Sequence, residues 1–284
     1  MNEDASRSTA VSLFGGSRKR GLVVPQPAHV AKAGVFSGAL VPPRPDPARV
    51  WSTLTALDED TLRSGRGDLA DPVADGAAVA ALDVLRTRLL QALADNAWTR
   101  VAVTAPRRGC GTTFVAINLA LSVARVRSVR AVLVDLDLRK PDMAARFGVS
   151  DAGSLAAFLA ADQPVEAHLR RHGRNLALGL NSEPVMASAE ILQQPETAET
   201  LEDMIDSLLP DIVLYDLPPV LEGDDLLAFL PQVDGVLLVA DGTRTVGKDL
   251  AECERLLEGR APLIGVVLNR GELRRGDLHA RTGE

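Results

Sequence analysis

The chain of 284 residues has two cysteines, Cys110 and Cys253, a single tyrosine, and aromatic residues at only 3% of its length. Two cysteines exclude a disulfide framework, and an acidic, Ala- and Leu-rich chain without one fits a reducing compartment, so a cytoplasmic location is expected. No apolar run approaches the roughly 18 residues that a membrane helix needs, which excludes direct insertion through such a helix. The polar start, Met1 to Ala10 with Glu3 and Asp4, has neither the basic flank nor the apolar stretch of a signal peptide. Any attachment to the inner membrane is therefore expected to run through a partner. Basic residues number 31 against 38 acidic ones, a formal charge of −7 with the cations dispersed, so nucleic acid is not an expected partner. What the chain does have is 46% apolar residues, enough for a sizeable buried core.

Organisation changes near residue 75. Residues 1–75 mix Ser, Gly and Pro with isolated charges, as in Val41-Pro42-Pro43-Arg44-Pro45-Asp46-Pro47, and show neither helical nor strand period. They read as a disordered N-terminal tail, in which the short apolar pieces Leu22-Val23-Val24 and Val50-Trp51 are either docking segments or, the favoured reading, parts of a loosely tethered linker. From Ala77 onward Leu82, Leu85, Leu89 and Leu93 recur at helical spacing up to Asn96, which predicts an amphipathic lead-in helix. Nearly continuous apolar runs then follow at 101–103, 131–134, 212–215, 236–239 and 264–268, with a weaker one at 176–178. Such runs alternating with helical stretches predict strands buried on both faces, so residues 76–284 are expected to form one doubly wound α/β domain with a mostly parallel sheet.

Parallel sheets bind ligands at the carboxyl ends of their strands. The first strand leads into Thr104-Ala105-Pro106-Arg107-Arg108-Gly109-Cys110-Gly111-Thr112-Thr113 and then a helix, a turn whose backbone N–H groups can approach phosphate. The general P-loop pattern asks for glycine and lysine where Pro106 and Thr112 stand, so this turn alone is a weak signal. The second strand runs into Asp135-Leu136-Asp137-Leu138-Arg139-Lys140-Pro141, and two carboxylates so close require a cation or a base to hold them. The third clear strand ends in Asp216-Leu217-Pro218-Pro219. Three aspartates, each following a buried strand, fit the order that a nucleotide site needs.

The segments Thr104–Ala120, Val134–Pro141 and Asp211–Val220 resemble the Walker A, Walker A′ and Walker B regions of the bacterial tyrosine kinases of capsular and exopolysaccharide biosynthesis, P-loop proteins related to partition and septum-site ATPases. The likeness runs on through Asp241–Thr245 and Gly265–Asn269. It implies a P-loop NTPase-like fold binding ATP or ADP with Mg²⁺. Arg107, Arg108, Gly109, Cys110, Gly111, Thr112 and Thr113 would form the phosphate loop. Thr113, Asp135 and Asp216 would hold the metal, Asp137 would serve as the base for a substrate hydroxyl with Asp135 and Asp216 as its catalytic partners, and Asn269 would meet adenine.

The chain departs from that family in three places. Thr112 stands in place of the phosphate-binding lysine, with Arg107 and Arg108 close by as either partial substitutes or solvated turn residues. The tyrosine-rich tail is missing, because Tyr215 is the sole tyrosine and lies within a strand pattern. The lead-in helix, whose glutamate and two arginines pack the family's homo-oligomeric ring, keeps only Arg86, with Ala80 and Asp83 at the other two positions. The resemblance implies regulation of exopolysaccharide synthesis, chain length or export, with a membrane-embedded chain-length or co-polymerase protein as partner. The missing lysine and tyrosines favour a pseudokinase-like regulator over an active kinase or ATPase built on arginine. The Asp-Leu-Asp-Leu-Arg-Lys-Pro turn favours the polysaccharide branch over a partition ATPase.

Overall fold

Strands without a polar face must be covered on both sides, and the computed structural model, which describes residues 46–57 and 76–271, shows them so covered. The strands are β1 (Thr55–Ala56), β2 (Arg100–Thr104), β3 (Ala131–Asp135), β4 (Arg170–His172), β5 (Leu176–Gly179), β6 (Ile212–Asp216), β7 (Gly235–Asp241) and β8 (Leu263–Asn269). They form one sheet in the order β1-β4-β5-β3-β6-β2-β7-β8. Every neighbouring pair is parallel except β4 with β5, so only β4 and the strand beyond it run against the rest. The doubly wound, mostly parallel α/β fold expected from the sequence is what the chain adopts.

The helices are α1 (Pro47–Thr53), α2 (Gly76–Asn96), α3 (Thr112–Ala124), α4 (Met143–Arg146), α5 (Leu155–Leu159), α6 (Val165–His168), α7 (Ser188–Leu192), α8 (Pro195–Leu208), α9 (Asp225–Phe229) and α10 (Gly247–Leu257). Along β6, Ile212 and Leu214 join the apolar cluster with the leucines of α2 and the inner face of α3, while Val213 and Tyr215 join the opposite cluster with α8, α9 and α10. This two-residue alternation explains why the strand reads as wholly apolar. Leu82, Leu85, Leu89 and Leu93 are all buried, as the helical spacing predicts.

Residues 46–57 correct the expectation of a disordered tail over 1–75. Asp46 caps α1 by accepting from the Ala48 N–H at 3.0 Å, and Pro47 opens the helix. Trp51 is buried and its indole N–H donates to the Leu208 carbonyl at 2.7 Å, which is one of the carbonyls left over at the end of α8. The Arg130 guanidinium lies 5.7 Å from the Trp51 ring centroid. Thr55 and Ala56 then pair with Arg170 and Arg171, closing the sheet edge. Val50, Trp51 and Leu54 are too few to show a period, and the Trp51 partners Arg130 and Leu208 lie 79 and 157 residues away, so the contact is tertiary and not local. The remainder of 1–75, including Leu22-Val23-Val24, lies outside the described residues.

Trp51→Ala is expected to lower unfolding stability by about 3–5 kcal/mol, as truncation of a buried aromatic does. A loss under about 0.5 kcal/mol in urea unfolding would detach the strap from the cooperative unit. Tyr215 is fully buried, sits edge-on to Phe229 at 4.9 Å, and its hydroxyl has no hydrogen-bond partner among the described residues. Tyr215→Phe should therefore be neutral or stabilising by about 1 kcal/mol, since it removes an unpaired buried hydroxyl.

Candidate functional site

The parallel register brings the acidic residues together. β3 and β6 are neighbours, Asp135 stands opposite Asp216, and both are buried at the carboxyl end of the sheet. β6 also neighbours β2, whose following loop carries Gly109 at φ +86° and Gly111 at φ +89° before α3 begins at Thr112. A side chain at Gly111 would stand 2.2 Å from Asn269 Nδ2, so glycine is required there by space as well as by backbone angle. Around this loop lies a cleft of about 200 Å³, bounded by Arg108, Gly109, Gly111, Thr112, Thr113 and Asp137.

Burial pushes the Asp135 and Asp216 carboxyls well above their ordinary value, and for Asp135 the neighbouring Asp216 adds to the rise. The Thr113 hydroxyl bonds Asp216 and opposes its shift. Asp135 Oδ2 accepts from the Met143 N–H at 3.2 Å, but Asp135 Oδ1 and Asp216 Oδ2 are buried with no hydrogen-bond partner among the described residues. Two orphaned carboxylate oxygens beside a hydroxyl fit a hard divalent cation, which takes oxygen ligands. Thr113, Asp135 and Asp216 would hold Mg²⁺, and the ion would neutralise charge on the outer phosphates of a bound nucleotide. Arg108 NH1 donates to Asp137 Oδ2 at 2.8 Å.

Of the sequence-predicted residues outside the cleft wall, Asp135 and Asp216 are buried at their strand ends, and three others are engaged elsewhere. Arg107 turns outward and donates to Asp249 on α10 at 3.0 Å. Cys110 is buried, its sulfur 3.7 Å from the Thr245 hydroxyl. Asn269 is buried at the end of β8, donating from Nδ2 to the Cys110 carbonyl at 2.8 Å and accepting the Arg270 N–H at 3.0 Å. It thus braces the loop.

Sequence reading missed a second brace. Asp241, fully buried, accepts from Arg270 at 2.7 Å and Arg244 at 3.3 Å, and both guanidiniums also donate to the Gly109 carbonyl, at 2.7 and 2.8 Å. The Thr243 hydroxyl and N–H and the two arginines hold the Asp241 carboxyl well below the usual carboxylate range against its burial. Asp241 ends an apolar strand just as Asp135 and Asp216 do, and that was the available signal. Arg139, in the same turn as the paired aspartates, donates to Asp225 at 3.2 Å.

No protein-family model matches the chain. It is 31% identical over 214 residues to the putative tyrosine-protein kinase EpsB of Ralstonia nicotianae, which covers 74% of this chain and 28% of that protein. It is 26% identical over 187 residues to the tyrosine-protein kinase YwqD of Bacillus subtilis, covering 65% and 78%. Over 190 residues it is 27% identical to the succinoglycan biosynthesis transport protein ExoP of Rhizobium meliloti, covering 64% and 24%. The chain therefore spans about a quarter of the length of EpsB and of ExoP. Among solved structures, the VpsO kinase domain matches with 28% identity and a TM-score of 0.60, covering 67% of this chain and 94% of that one. The kinase domain of the Escherichia coli tyrosine kinase ETK shares the fold at 24% identity and a TM-score of 0.65, covering 81% and 93%.

The acidic pair sets a pH dependence. Burial, partly opposed by the Thr113 bond, raises Asp216 from 3.8 to about 7, so folding takes up a proton between those values. Protonated Asp216 contributes stability fully below about pH 4, and that contribution is lost as pH rises through about 7. Thermal unfolding without metal should show a falling midpoint across this window, and Mg²⁺ should raise the midpoint more at pH 8 than at pH 5. Asp216→Asn should weaken both trends and leave the part that the buried Asp135 carries. A wild-type midpoint insensitive to Mg²⁺ at pH 8 and flat across the window would remove the cation site.

Proposed function

We propose that this chain, which belongs with the bacterial tyrosine-kinase domains, is a Mg²⁺-dependent nucleotide-binding regulator of exopolysaccharide synthesis, chain length or export with weak or no kinase activity of its own. The observation that carries this is the contrast within one site. The acidic pair Asp135/Asp216 and the loop glycines 109 and 111 are present, while position 112 carries threonine in place of lysine. A charged hydrogen bond contributes roughly 1.5–3 kcal/mol, so its loss should weaken triphosphate binding by about one to two decades and withdraw stabilisation from phosphoryl transfer. Self-phosphorylation on tyrosine has no acceptor, because Tyr215 is fully buried within β6.

The polysaccharide setting is supported by ExoP, named for succinoglycan biosynthesis, and by the tyrosine-kinase relatives. In that setting the domain acts in the cytoplasm and reaches the inner membrane by docking on a membrane-embedded chain-length or co-polymerase protein. No helix among the described residues is long and apolar enough to cross a membrane. The family's ring contact through the lead-in helix is not available in its usual form. Asp83 instead accepts from Arg86 at 3.1 Å, from the Ser122 hydroxyl at 2.6 Å and from Arg125, all within the chain.

Titration calorimetry tests the nucleotide reading. Wild-type protein should bind ADP and ATP only with Mg²⁺ and with affinities within about one decade of each other, given the missing contact to the outer phosphates. Thr112→Lys should tighten ATP more than ADP, by about tenfold or more, if a lysine there recovers a charged hydrogen bond. Neither protein should show phosphotyrosine by mass spectrometry. Unchanged ATP affinity in the lysine variant would mean that the loop is not a phosphate cradle. ATP-dependent phosphorylation of a tyrosine on another protein at kinase-like rates would establish the active-enzyme reading instead.

A further inference from the structure

The loop's own cation is already engaged. Arg108 lines the cleft and reaches across it to Asp137, with one short contact at 2.8 Å and a second at 3.5 Å. We propose that Arg108 is an exchangeable latch: Asp137 holds its guanidinium when the cleft is free of ligand, and an entering polyphosphate takes the guanidinium over and leaves Asp137 uncovered. The proposal rests on the reading of the cleft as a nucleotide site and adds the residue that couples ligand entry to the candidate base.

Three observations carry it. The Arg108 side chain is 41% exposed, so water screens its pairing with Asp137 and the exchange costs little. The backbone on both sides of the latch is pinned. The Arg108 N–H donates to Glu222 at 2.9 Å and the Gly109 carbonyl accepts from Arg244 and Arg270, so only side-chain torsions need change. Asp137 does not depend on Arg108 for its position, since the Lys140 N–H bonds both its carbonyl, at 3.0 Å, and its Oδ1, at 3.3 Å. Thr112 is too short to compete, and Arg107 is taken by Asp249. Arg108 is thus the loop cation positioned to meet a phosphate, and a carboxylate is what it must leave.

The test is calorimetric titration of the full chain, wild type and variants, with Mg²⁺-ADP and separately with pyrophosphate in the absence of metal. Asp137→Asn removes the competing anion and should tighten binding of both probes by roughly two- to fivefold, the span of a partly exposed ion pair. Arg108→Ala should weaken binding by about tenfold, with Arg108→Lys recovering part of it. The double variant Arg108→Ala/Asp137→Asn should show no gain over Arg108→Ala alone. That non-additivity is the signature of exchange. A gain that persists in the Arg108→Ala background would reduce Asp137 to a source of repulsion and overturn the latch, as would weaker binding in Asp137→Asn. Pyrophosphate results that follow the pattern while ADP fails to bind would support the latch and sink the nucleotide reading. Absence of binding of either probe to any folded variant would overturn both.

Discussion

Two buried carboxylates side by side are a costly arrangement, and the rest of the site is arranged around the Asp135/Asp216 pair. Parallel register forces it: once β3 and β6 pair with Asp135 opposite Asp216, both strand ends deliver their carboxylates to one spot at the carboxyl end of the sheet. A buried ionised pair is unfavourable unless a cation or a shared proton relieves it. The Thr113 hydroxyl and the Met143 N–H offset only part of that cost. When both carboxyls are ionised the site is unfinished in an electrostatic sense, and a divalent cation would complete it with the oxygen ligands that such ions take.

The phosphate loop is, by contrast, finished without any ligand. Its glycines supply the left-handed angles at 109 and 111, Asn269 fills the space that a side chain at 111 would need, and two arginines anchored on Asp241 hold the Gly109 carbonyl. All of these partners come from the ends of β7 and β8, on the side of β2 away from Asp135 and Asp216. The loop is thus pre-organised from one flank and charged from the other. Fixed dipoles that need no reorganisation are what a phosphate cradle requires.

Much of this was legible in the sequence because it is local. The six apolar runs became strands within a residue or two of where they were read, the leucine period at 82, 85, 89 and 93 became a buried helix face, and the three strand-end aspartates do meet at or beside one cleft. What escaped was long-range pairing of side chains. Nothing in the neighbourhood of Trp51 announces that its indole will satisfy a carbonyl at residue 208, and nothing around Arg107 and Arg108 says that adjacent arginines will part, one to Asp249 and the other to Asp137. β4 escaped for a related reason, since Arg170–His172 has no apolar run and is a strand only because β5 and the N-terminal strap pair with it.

The parting of the two arginines bears on how a loop without lysine can still meet phosphate. Lysine at position 112 would be a point charge at the start of α3, whereas arginine at position 108 brings a planar fork from the other side of the loop. A fork can be shared with a carboxylate or handed to a phosphate with little change in its own geometry, because both anions accept it in the same bidentate manner. Charge at 112 would serve the outer phosphates alone; charge at 108 is tied to Asp137 as well. Moving the cation along the loop therefore joins phosphate recognition to the state of the neighbouring acidic residue, a coupling that follows from the Arg108–Asp137 contact and from no feature of the fold alone.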